Sequence, residues 1–333
     1  METHTHILRN TDLNELTIII PFRNEGESVR KTLIKLYESY GEECSIILIN
    51  DASNDGYDYK KDIQPFGNLL YVTNEELLGT GGSRDKGALL AKTRFLLFLD
   101  AHCYLSDHVL SSLLQYAISY PKSLICLQSR ILIYGYDKEL YLQASSCENR
   151  AGYIDFSLLR GPLCLRWEFL QPGEEKADIL EVPCVRGGAY CIERQYFLYL
   201  HGYNGLICHG CENSFLSTKV WLEGGRCLLL PKHEVNHLYR WSPPYHFNKV
   251  AEGYNKIIYA RLLMQEYAEE MEETVCLHFC KSSRSTINKY LQAVHQEITQ
   301  EREYLSSIFE RNFMDIIKLN RNNGNNGNRK YPQ

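Results

Sequence analysis

The sequence predicts an α/β protein with a mainly parallel sheet flanked by helices and a C-terminal helical extension. Short apolar runs alternate with helical patterns through the first 125 residues, and this alternation is typical of parallel sheets. From residue 256 onward the composition is helical, without glycine or proline until the tail. A chain of 333 residues has the length of two medium domains or one large one.

The predicted elements follow one another in a regular order. Residues 16–20 (LTIII) form a strand that Pro21 ends, because proline cannot continue a central strand. The next segment has a helical apolar face formed by Val29, Leu33, Leu36 and Tyr40. Further strands are predicted at 45–49, 69–72 and 95–99. A helix begins at Gly79 and extends to about Thr93.

Composition and charge exclude several classes of protein. The net charge of −5 argues against a nucleic-acid binder, which would need a basic excess. No apolar run approaches the length of a transmembrane helix, so we expect no membrane span. The first residues have no signal-peptide pattern, and the 12 cysteines are scattered along the chain. We therefore expect reduced cysteines in a cytoplasmic protein.

Polar residues follow the C-terminal ends of the predicted strands, where open α/β sheets bind their ligands. Asp100 and His102 come directly after strand 95–99 and share one face, because alternate residues of a strand point the same way. A carboxylate oxygen beside an imidazole nitrogen is half of a divalent metal site. A polar turn at the end of a buried strand is the alternative interpretation.

A glycine-rich segment, Gly79-Thr80-Gly81-Gly82, opens the helix that contains Arg84. An arginine in the first turns of such a helix can bind a pyrophosphate through its fork of donors. A surface arginine after a tight turn is the alternative, and these residues alone leave both interpretations open.

Segments from both halves of the chain resemble one family of enzymes. IIPFRNE, INDASND, GTGGSRDKG and FLDAHC, in this order, are similar to the sugar-nucleotide half of GT-A fold glycosyltransferases. The Asp-x-His-Cys form resembles the polypeptide N-acetylgalactosaminyltransferases, as do LCLRWEFLQP, VRGGAYCIERQYFLYLHGYN, HGCENSFLSTKVWLEGG and EVNHLYRWSPPYHF. The resemblance spans about residues 16–260. It implies a GT-A fold catalytic domain without that family's C-terminal lectin domain or N-terminal membrane anchor.

The resemblance implies a metal site and a donor site. Asp100, His102 and His237 are the implied ligands of Mn²⁺ or Mg²⁺, and two histidines with one carboxylate suit Mn²⁺. Asp51 would accept a hydrogen bond from uracil N3–H, with a helix-capping role as the alternative. The residues implied to bind the UDP-sugar are Pro21, Arg23, Glu25, Asp51, Arg84, Asp100, Ala101, Arg240 and Tyr245.

The resemblance also implies catalytic and acceptor residues. The catalytic set is Glu212, Asn213 and Asp100. Glu212 would hold sugar hydroxyls or contact the acceptor; in an inverting enzyme it would be the general base, whereas the family retains configuration. A favourable charge at a helix N-terminus is the alternative for Glu212. The residues implied to face the acceptor or sugar are Gly187, Gly188, Trp167 and His209. The chain departs from the family's pattern at His209, Cys211, Trp241 and Pro243.

An apolar stripe runs along the C-terminal extension, and Glu301 interrupts it. The stripe consists of Ile287, Leu291, Val294, Ile298, Leu305 and Ile308. It either packs on the catalytic domain or pairs with a second chain to form a homodimer. The polar tail, RNNGNNGNRKYPQ, is predicted to be disordered.

The prediction divides the chain into five parts. These are an N-terminal segment (1–14), a UDP-sugar-binding half (15–125), a metal and acceptor half (126–255), a helical extension (256–320) and the disordered tail (321–333). The predicted function is metal-dependent transfer of a hexosyl or N-acetylhexosaminyl group from a UDP-sugar to a hydroxyl, or a thiol, of a peptide or protein. Transfer to a glycan or a small molecule is one alternative, and a non-catalytic sugar-nucleotide-binding scaffold is another.

Overall fold

The structure is a computed structural model, and it describes residues 12–135, 139–143, 149–155, 163–240, 242, 244–245, 248–279 and 283–322. Its strands are β1 (Leu16–Phe22), β2 (Ser45–Asn50), β3 (Leu69–Thr73), β4 (Phe95–Leu99), β5 (Cys103–Leu105), β6 (Ser123–Tyr134), β7 (Leu140–Leu142), β8 (Arg150–Asp155), β9 (Cys164–Phe169), β10 (Leu180–Glu181), β11 (Ala189–Glu193) and β12 (Arg226–Leu238). Its helices are α1 (Ser28–Tyr40), α2 (Tyr59–Ile63), α3 (Gly79–Leu90), α4 (Val109–Ser119), α5 (Arg194–Tyr199), α6 (Glu212–Leu222), α7 (Lys249–Leu263), α8 (Ala268–Phe279), α9 (Arg284–Ala293), α10 (His295–Ile308) and α11 (Phe313–Asn322). Every helix in these ranges is too short or too polar to cross a lipid bilayer.

The central sheet has the order β10-β12-β6-β11-β4-β1-β2-β3. Strands β4, β1, β2 and β3 are parallel, as the alternation of strands and helices predicts. Strand β11 lies antiparallel between β4 and β6 and joins this parallel half to the β6–β12 pair. Strands β8 and β9 form a separate hairpin. The predicted fold class, a sheet flanked by helices with a C-terminal helical extension, is confirmed.

Apolar side chains cover both faces of the sheet and place the core above and below it. The predicted apolar face of helix α1 is buried on one side, where Val29, Leu33, Leu36 and Tyr40 pack under β1 and β2. Helix α3 packs on the other side, and Gly87 lies so close to the sheet that a Cβ there would be 2.5 Å from Ile19 Cγ2. The close packing fixes α3, which contributes Arg84 to the site described below.

The first strand does not end at Pro21, contrary to the sequence prediction. Strand β1 continues to Phe22, with Pro21 opposite Ile49 of β2. Proline is tolerated here because the ladder between β1 and β4 has already ended at the Ile19–Phe98 pair. The missing N–H group therefore faces no strand on that side. Helix α3 is also shorter than predicted and ends at Leu90 rather than Thr93.

The predicted division of the chain at residues 125 and 255 remains a prediction. Residue 125 lies inside β6 and residue 255 inside α7, so the proposed parts share continuous elements. At the N-terminus, residues 1–11 lie outside the described residues, and Leu13–Glu15 form a short 3-10 turn with Leu13 buried. At the C-terminus, α11 includes residues 321 and 322, which the prediction placed in the tail; residues 323–333 lie outside the described residues.

The apolar stripe of the C-terminal extension is buried within a single chain. Ile287, Leu291, Ile298 and Leu305 join the main hydrophobic core, and Val294 and Ile308 pack against it. The stripe is divided between α9 and α10, because the backbone leaves helical geometry at Val294 (φ −114°, ψ 20°). Packing on the rest of the same chain thus accounts for the stripe, and a homodimer through these helices remains a prediction.

Candidate active site

A cavity of about 490 Å³ opens at the C-terminal ends of β1, β2 and β4. Fifteen of the predicted site residues line it: Pro21, Arg23, Glu25, Asp51, Arg84, Asp100, Ala101, His102, Gly187, His209, Glu212, Asn213, His237, Arg240 and Tyr245. The sheet edge brings them together because parallel strands present their carboxyl ends on one side. Gly188 and Trp167 are the predicted residues that do not line this cavity.

Three of these side chains form a candidate metal site. Asp100 follows β4, His102 precedes β5, and His237 lies in β12 opposite Cys103 of β5. One ligand atom from each residue lies within 4.8 Å of the others. The donor set of two imidazoles and one carboxylate suits Mn²⁺, so the residues fit the ion that the sequence predicts. The pairing of β5 with β12 is what brings His237 to the Asp-x-His segment.

The electrostatics keep Asp100 and His237 in the protonation states that a metal requires. Burial alone would raise the pKa of Asp100, but the His237 imidazole, the Arg84 guanidinium and His102 hold it well below its usual range. Burial lowers the pKa of His237, and the nearby His102 lowers it further against the opposing effect of Asp100. An ionised aspartate beside a neutral histidine is a pair that can bind a divalent cation.

Glu25 lines the cavity and lies close to the candidate metal ligand His102. Its Oε2 lies 3.3 Å from His102 Nδ1, without hydrogen-bond alignment, and 2.6 Å from the Arg240 guanidinium. A carboxylate at one ring nitrogen is a common way to orient a metal-binding histidine. Ser28, which the sequence analysis missed, also accepts a hydrogen bond from Arg240 at 2.8 Å. Glu25 therefore connects the metal ligands to the segment that follows β12.

Arg84 is buried beneath the cavity and makes a 2.9 Å ion pair with Asp100 Oδ1. Its guanidinium lies over three aromatic rings, those of Phe98, Tyr190 and Tyr203, at 5.2 to 6.0 Å. Burial would lower the pKa of Arg84, but Tyr190 and Tyr203, together with the nearby carboxylates, raise it above its usual range, so the residue carries a permanent positive charge. The surface-arginine alternative is wrong, because only 4% of the residue is exposed.

Asp51 caps the N-terminus of helix α3. Its two carboxylate oxygens accept hydrogen bonds from the backbone N–H groups of Leu78 and Gly79 at 2.9 and 2.8 Å. The side chain of Asn74 donates to Asp51 Oδ1 as well, at 2.9 Å. The capping alternative is therefore present, and it occupies the N–H groups that a phosphate would need. Asp51 also lines the cavity, so its role in binding uracil stays a prediction.

Glu212 begins helix α6 and is buried at the cavity wall. Its Oε1 accepts a hydrogen bond from the Gly210 N–H at 3.0 Å and lies 3.3 Å from His209 Nδ1. Burial would raise the pKa of Glu212, but the histidine and the backbone donors lower it to about 2. The Glu212 carboxylate in turn raises the pKa of His209. The two side chains form an ion pair at mildly acidic pH.

The His209–Glu212 pair predicts a pH-dependent stability. The raised pKa of His209 stabilises the fold below its usual 6.5, and this contribution is lost as pH rises through the higher folded value. Glu212 adds stability above its usual 4.5 that is lost as pH falls toward 2. We expect His209→Gln to lower the free energy of unfolding by about 1 kcal/mol more at about pH 6 than at about pH 9. The difference is no larger because the His209 side chain is half exposed, and solvent weakens exposed ion pairs.

Thermal melts at both pH values test this expectation. The exposed His295 of α10 provides the matched control, and we expect a smaller difference between the two pH values for His295→Gln than for His209→Gln. An equal loss of stability for His209→Gln at both values would contradict the ion pair.

The loop before Glu212 is held from two sides, which the sequence analysis missed. Asn255 of α7 is buried and bonds Ile207 through both backbone groups and Gly210 through its carbonyl, at 2.8 to 3.0 Å. On the other side, the Thr80 N–H donates to the Cys208 carbonyl at 3.0 Å. Gly79 has φ +80°, and a Cβ there would lie 1.7 Å from the same oxygen. The one sequence signal that could have identified Asn255 is its polar side chain inside an otherwise apolar helix pattern.

The glycine pair after Arg186 passes directly beneath the site. The Gly188 carbonyl accepts a hydrogen bond from Asp100 N–H at 3.0 Å, and a Cβ on Gly187 would lie 2.8 Å from Asn213 Nδ2. Gly188 thus supports the metal ligand without lining the cavity. Trp167 lies on the β8–β9 hairpin, partly exposed. Of the positions that depart from the family's pattern, Trp241 and Pro243 lie outside the described residues.

Residues 17–159 match the family model for glycosyl transferase family 2. The chain carries a glycosyl transferase family 2 domain. Human polypeptide N-acetylgalactosaminyltransferase 14 is 33% identical over 250 residues, which cover 71% of this chain and 43% of the relative. Human polypeptide N-acetylgalactosaminyltransferase 10 is 31% identical over 278 residues, which cover 77% of this chain and 43% of the relative. The predicted resemblance is confirmed, and the chain is homologous to these proteins.

A crystal structure of GalNAc-T7 with UDP, GalNAc and Mn²⁺ has the same fold. It superimposes with a TM-score of 0.65 at 23% identity, covering 86% of this chain and 58% of the other. The glycosyl transferase family 2 domain described here therefore has the GT-A architecture. The matched segments cover 43% of the length of each human relative, so the chain spans less than half of these proteins.

Proposed function

We propose that this chain transfers a sugar from a UDP-sugar to a hydroxyl group of a peptide or protein, with Mn²⁺ as cofactor. One observation supports this above all others. Asp100, His102 and His237, the buried Arg84 and the ionised Glu212 converge on a single cavity. A cation site, a fixed guanidinium and a carboxylate side by side suit a substrate that has both phosphates and sugar hydroxyls. The homology to polypeptide N-acetylgalactosaminyltransferases supports the same reaction.

The donor has room for both of its parts. A second cavity of about 760 Å³ adjoins the first and shares Arg23, Asp51, Thr80, His209 and Tyr245 with it. The uridine would occupy the side near Asp51, and the sugar would lie near Glu212. Two hydrogen bonds fix the position of the Arg23 side chain beside the uridine site: its guanidinium donates to the carbonyls of Asp51 and Ala52 at 2.8 and 2.6 Å.

The residues of the site would divide the chemistry between them. Mn²⁺, held by Asp100, His102 and His237, would neutralise the charge that develops on the departing diphosphate. Arg84 supplies a second positive charge that burial keeps fixed, and it needs no reorganisation when the bond breaks. Glu212, which stays ionised down to a pKa of about 2, accepts hydrogen bonds from sugar or acceptor hydroxyls. We propose retention of configuration, as the family resemblance implies.

A peptide or protein acceptor is the finer part of the proposal. The names of the homologous proteins support it, and so does the exposed Trp167 on the hairpin outside the cavity. An acceptor thiol or a small-molecule acceptor would use the same donor site. We also keep the prediction that the protein acts in the cytoplasm, which rests on its sequence.

The experiment combines ligand binding with turnover. Thermal shifts are measured with UDP and with UDP-GalNAc, UDP-GlcNAc, UDP-galactose and UDP-glucose, each in Mn²⁺ or EDTA, because a ligand of the folded state raises its melting temperature. Release of UDP is then followed with water, serine- and threonine-containing peptides, or free sugars as acceptors. We expect one UDP-sugar to bind only with Mn²⁺ and to be transferred to a peptide. Binding without any release of UDP would favour the scaffold instead and overturn the proposal.

A further inference from the structure

Arg186 lies on an aromatic ring at the edge of the donor cavity. Its guanidinium carbon is 4.1 Å from the centre of the Trp167 ring. The next residue, Gly187, lines the cavity, whereas Trp167 belongs to β9 and is 37% exposed. The pair therefore lies at the boundary between the cavity and the solvent.

A second pair of the same kind stands beside the first. Arg150 lies over the Phe169 ring at 4.2 Å. Arg150 is opposite Phe169 in the β8–β9 register, and Gly152 is opposite Trp167, two positions away. Residues two apart on a strand share a face, so the two rings are neighbours. We call Arg150, Phe169, Trp167 and Arg186 the arginine–aromatic platform.

The positive charge of Arg186 is not neutralised within the described part of the chain, where no carboxylate forms an ion pair with it. Its guanidinium donates a hydrogen bond to the Ser129 carbonyl at 3.1 Å. Arg130, by contrast, pairs with Glu234 at 2.6 Å. Burial lowers the pKa of Arg186 to about 10, and Arg150 and Arg130 add to this effect. The residue still keeps its charge at neutral pH, next to other guanidinium groups.

We propose that the arginine–aromatic platform selects acidic acceptor peptides, with a carboxylate or phosphate of the acceptor bound to Arg186. This inference rests on the proposed function and names the class of acceptor. A guanidinium that stacks on a ring presents its donors in a planar fork, which matches carboxylate and phosphate groups. An anionic side chain supplies the negative counter-charge that Arg186 lacks, and the exposed Trp167 and Phe169 rings give the peptide apolar contact. Charge complementarity therefore favours an acidic peptide over a neutral or basic one.

The test compares matched peptides as acceptors for the UDP-sugar that the thermal-shift panel selects. Each peptide has one threonine acceptor, and the flanking positions hold glutamate, glutamine, lysine or phosphoserine. We expect kcat/KM for the glutamate peptide to exceed that for the glutamine peptide about tenfold, the effect of one charged hydrogen bond. The phosphoserine arm shows whether phosphate or carboxylate is preferred, and a preference for either over glutamine supports the proposal. Binding of fluorescent peptides to the protein with UDP and Mn²⁺ gives a second readout.

Two substitutions locate the preference on the platform. We expect Arg186→Gln to bring the ratio of glutamate to glutamine peptides close to one, and Arg186→Lys to keep an intermediate ratio. Arg94→Gln, at an exposed arginine that pairs with Glu193, is the matched control and should keep the wild-type ratio. Equal kcat/KM for all peptides in an active wild type, or an unchanged ratio in Arg186→Gln, would overturn this inference alone. A wild type that turns over no UDP-sugar would overturn the proposed function, and this inference with it.

Discussion

Replacement of His237 by alanine is expected to lower kcat/KM for sugar transfer about a thousandfold, because a bound metal supplies several kcal/mol of charge stabilisation. His237 is the one candidate ligand that comes from a distant part of the chain, and it meets Asp100 and His102 only through the pairing of β12 with β5. Its removal leaves two of the three ligands in place. The affinity for Mn²⁺ should therefore fall together with activity, and isothermal titration with Mn²⁺ and UDP measures that affinity directly.

His233→Ala is the matched control for this prediction. His233 lies four positions earlier on the same strand, stacks edge-on against Tyr116, and does not line the cavity. We expect this variant to keep the activity and Mn²⁺ affinity of the wild type within about threefold. Full activity of His237→Ala in the presence of EDTA would contradict the metal site.

Glu301→Ala is expected to lower the free energy of unfolding by about 3 kcal/mol, because it leaves a buried positive charge without its partner. Glu301 of α10 is 7% exposed, and its Oε1 lies 3.6 Å from the Nζ of Lys219, which is completely buried in α6. Its Oε2 is 2.8 Å from both His201 Nδ1 and Asn204 Nδ2. One carboxylate thus joins the C-terminal extension to three residues of the catalytic domain, and urea denaturation measures its contribution.

The burial of Lys219 also explains why removal of the Glu301 carboxylate should lower the stability of the fold. Burial lowers the pKa of Lys219 to about 8 even with Glu301 present, so removal of the carboxylate favours the neutral amine still more. Glu303→Ala, at an exposed position two residues further along α10, is the matched control and should change stability by less than about 0.5 kcal/mol. A similar small change for Glu301→Ala would show that the extension is not held by this contact.

Much of the site was predictable because its residues lie at the ends of short strands that the sequence marks clearly. Strand β4 is a run of five buried apolar residues, and Asp100 and His102 follow it at the spacing that puts both on one side. The carboxyl ends of parallel strands meet at one edge. The parallel half of the sheet therefore follows from the alternation of strands and helices, and the location of the cavity follows from the parallel half.

Local patterns did not reveal what each polar group contacts. Asp51 was predicted to bind uracil, with a helix cap as the alternative, and the structure shows the cap. Pro21 looked like the end of a strand, but β1 passes through it because the neighbouring ladder stops two residues earlier. Arg84 looked like a surface residue as readily as a phosphate ligand, until its burial among three aromatic rings became visible.

The sequence by itself therefore determined the fold class, the edge of the sheet that holds the site, and most of the residues that line it. It could do so because strand and helix periodicity is a property of neighbouring residues. Only the tertiary structure decided that Glu301 interrupts its apolar stripe in order to bind His201, Asn204 and Lys219. It also decided that Arg186 stacks on Trp167 beside the cavity. These contacts join residues far apart in the chain, and their strength depends on burial and on the charges around them, which no local pattern contains.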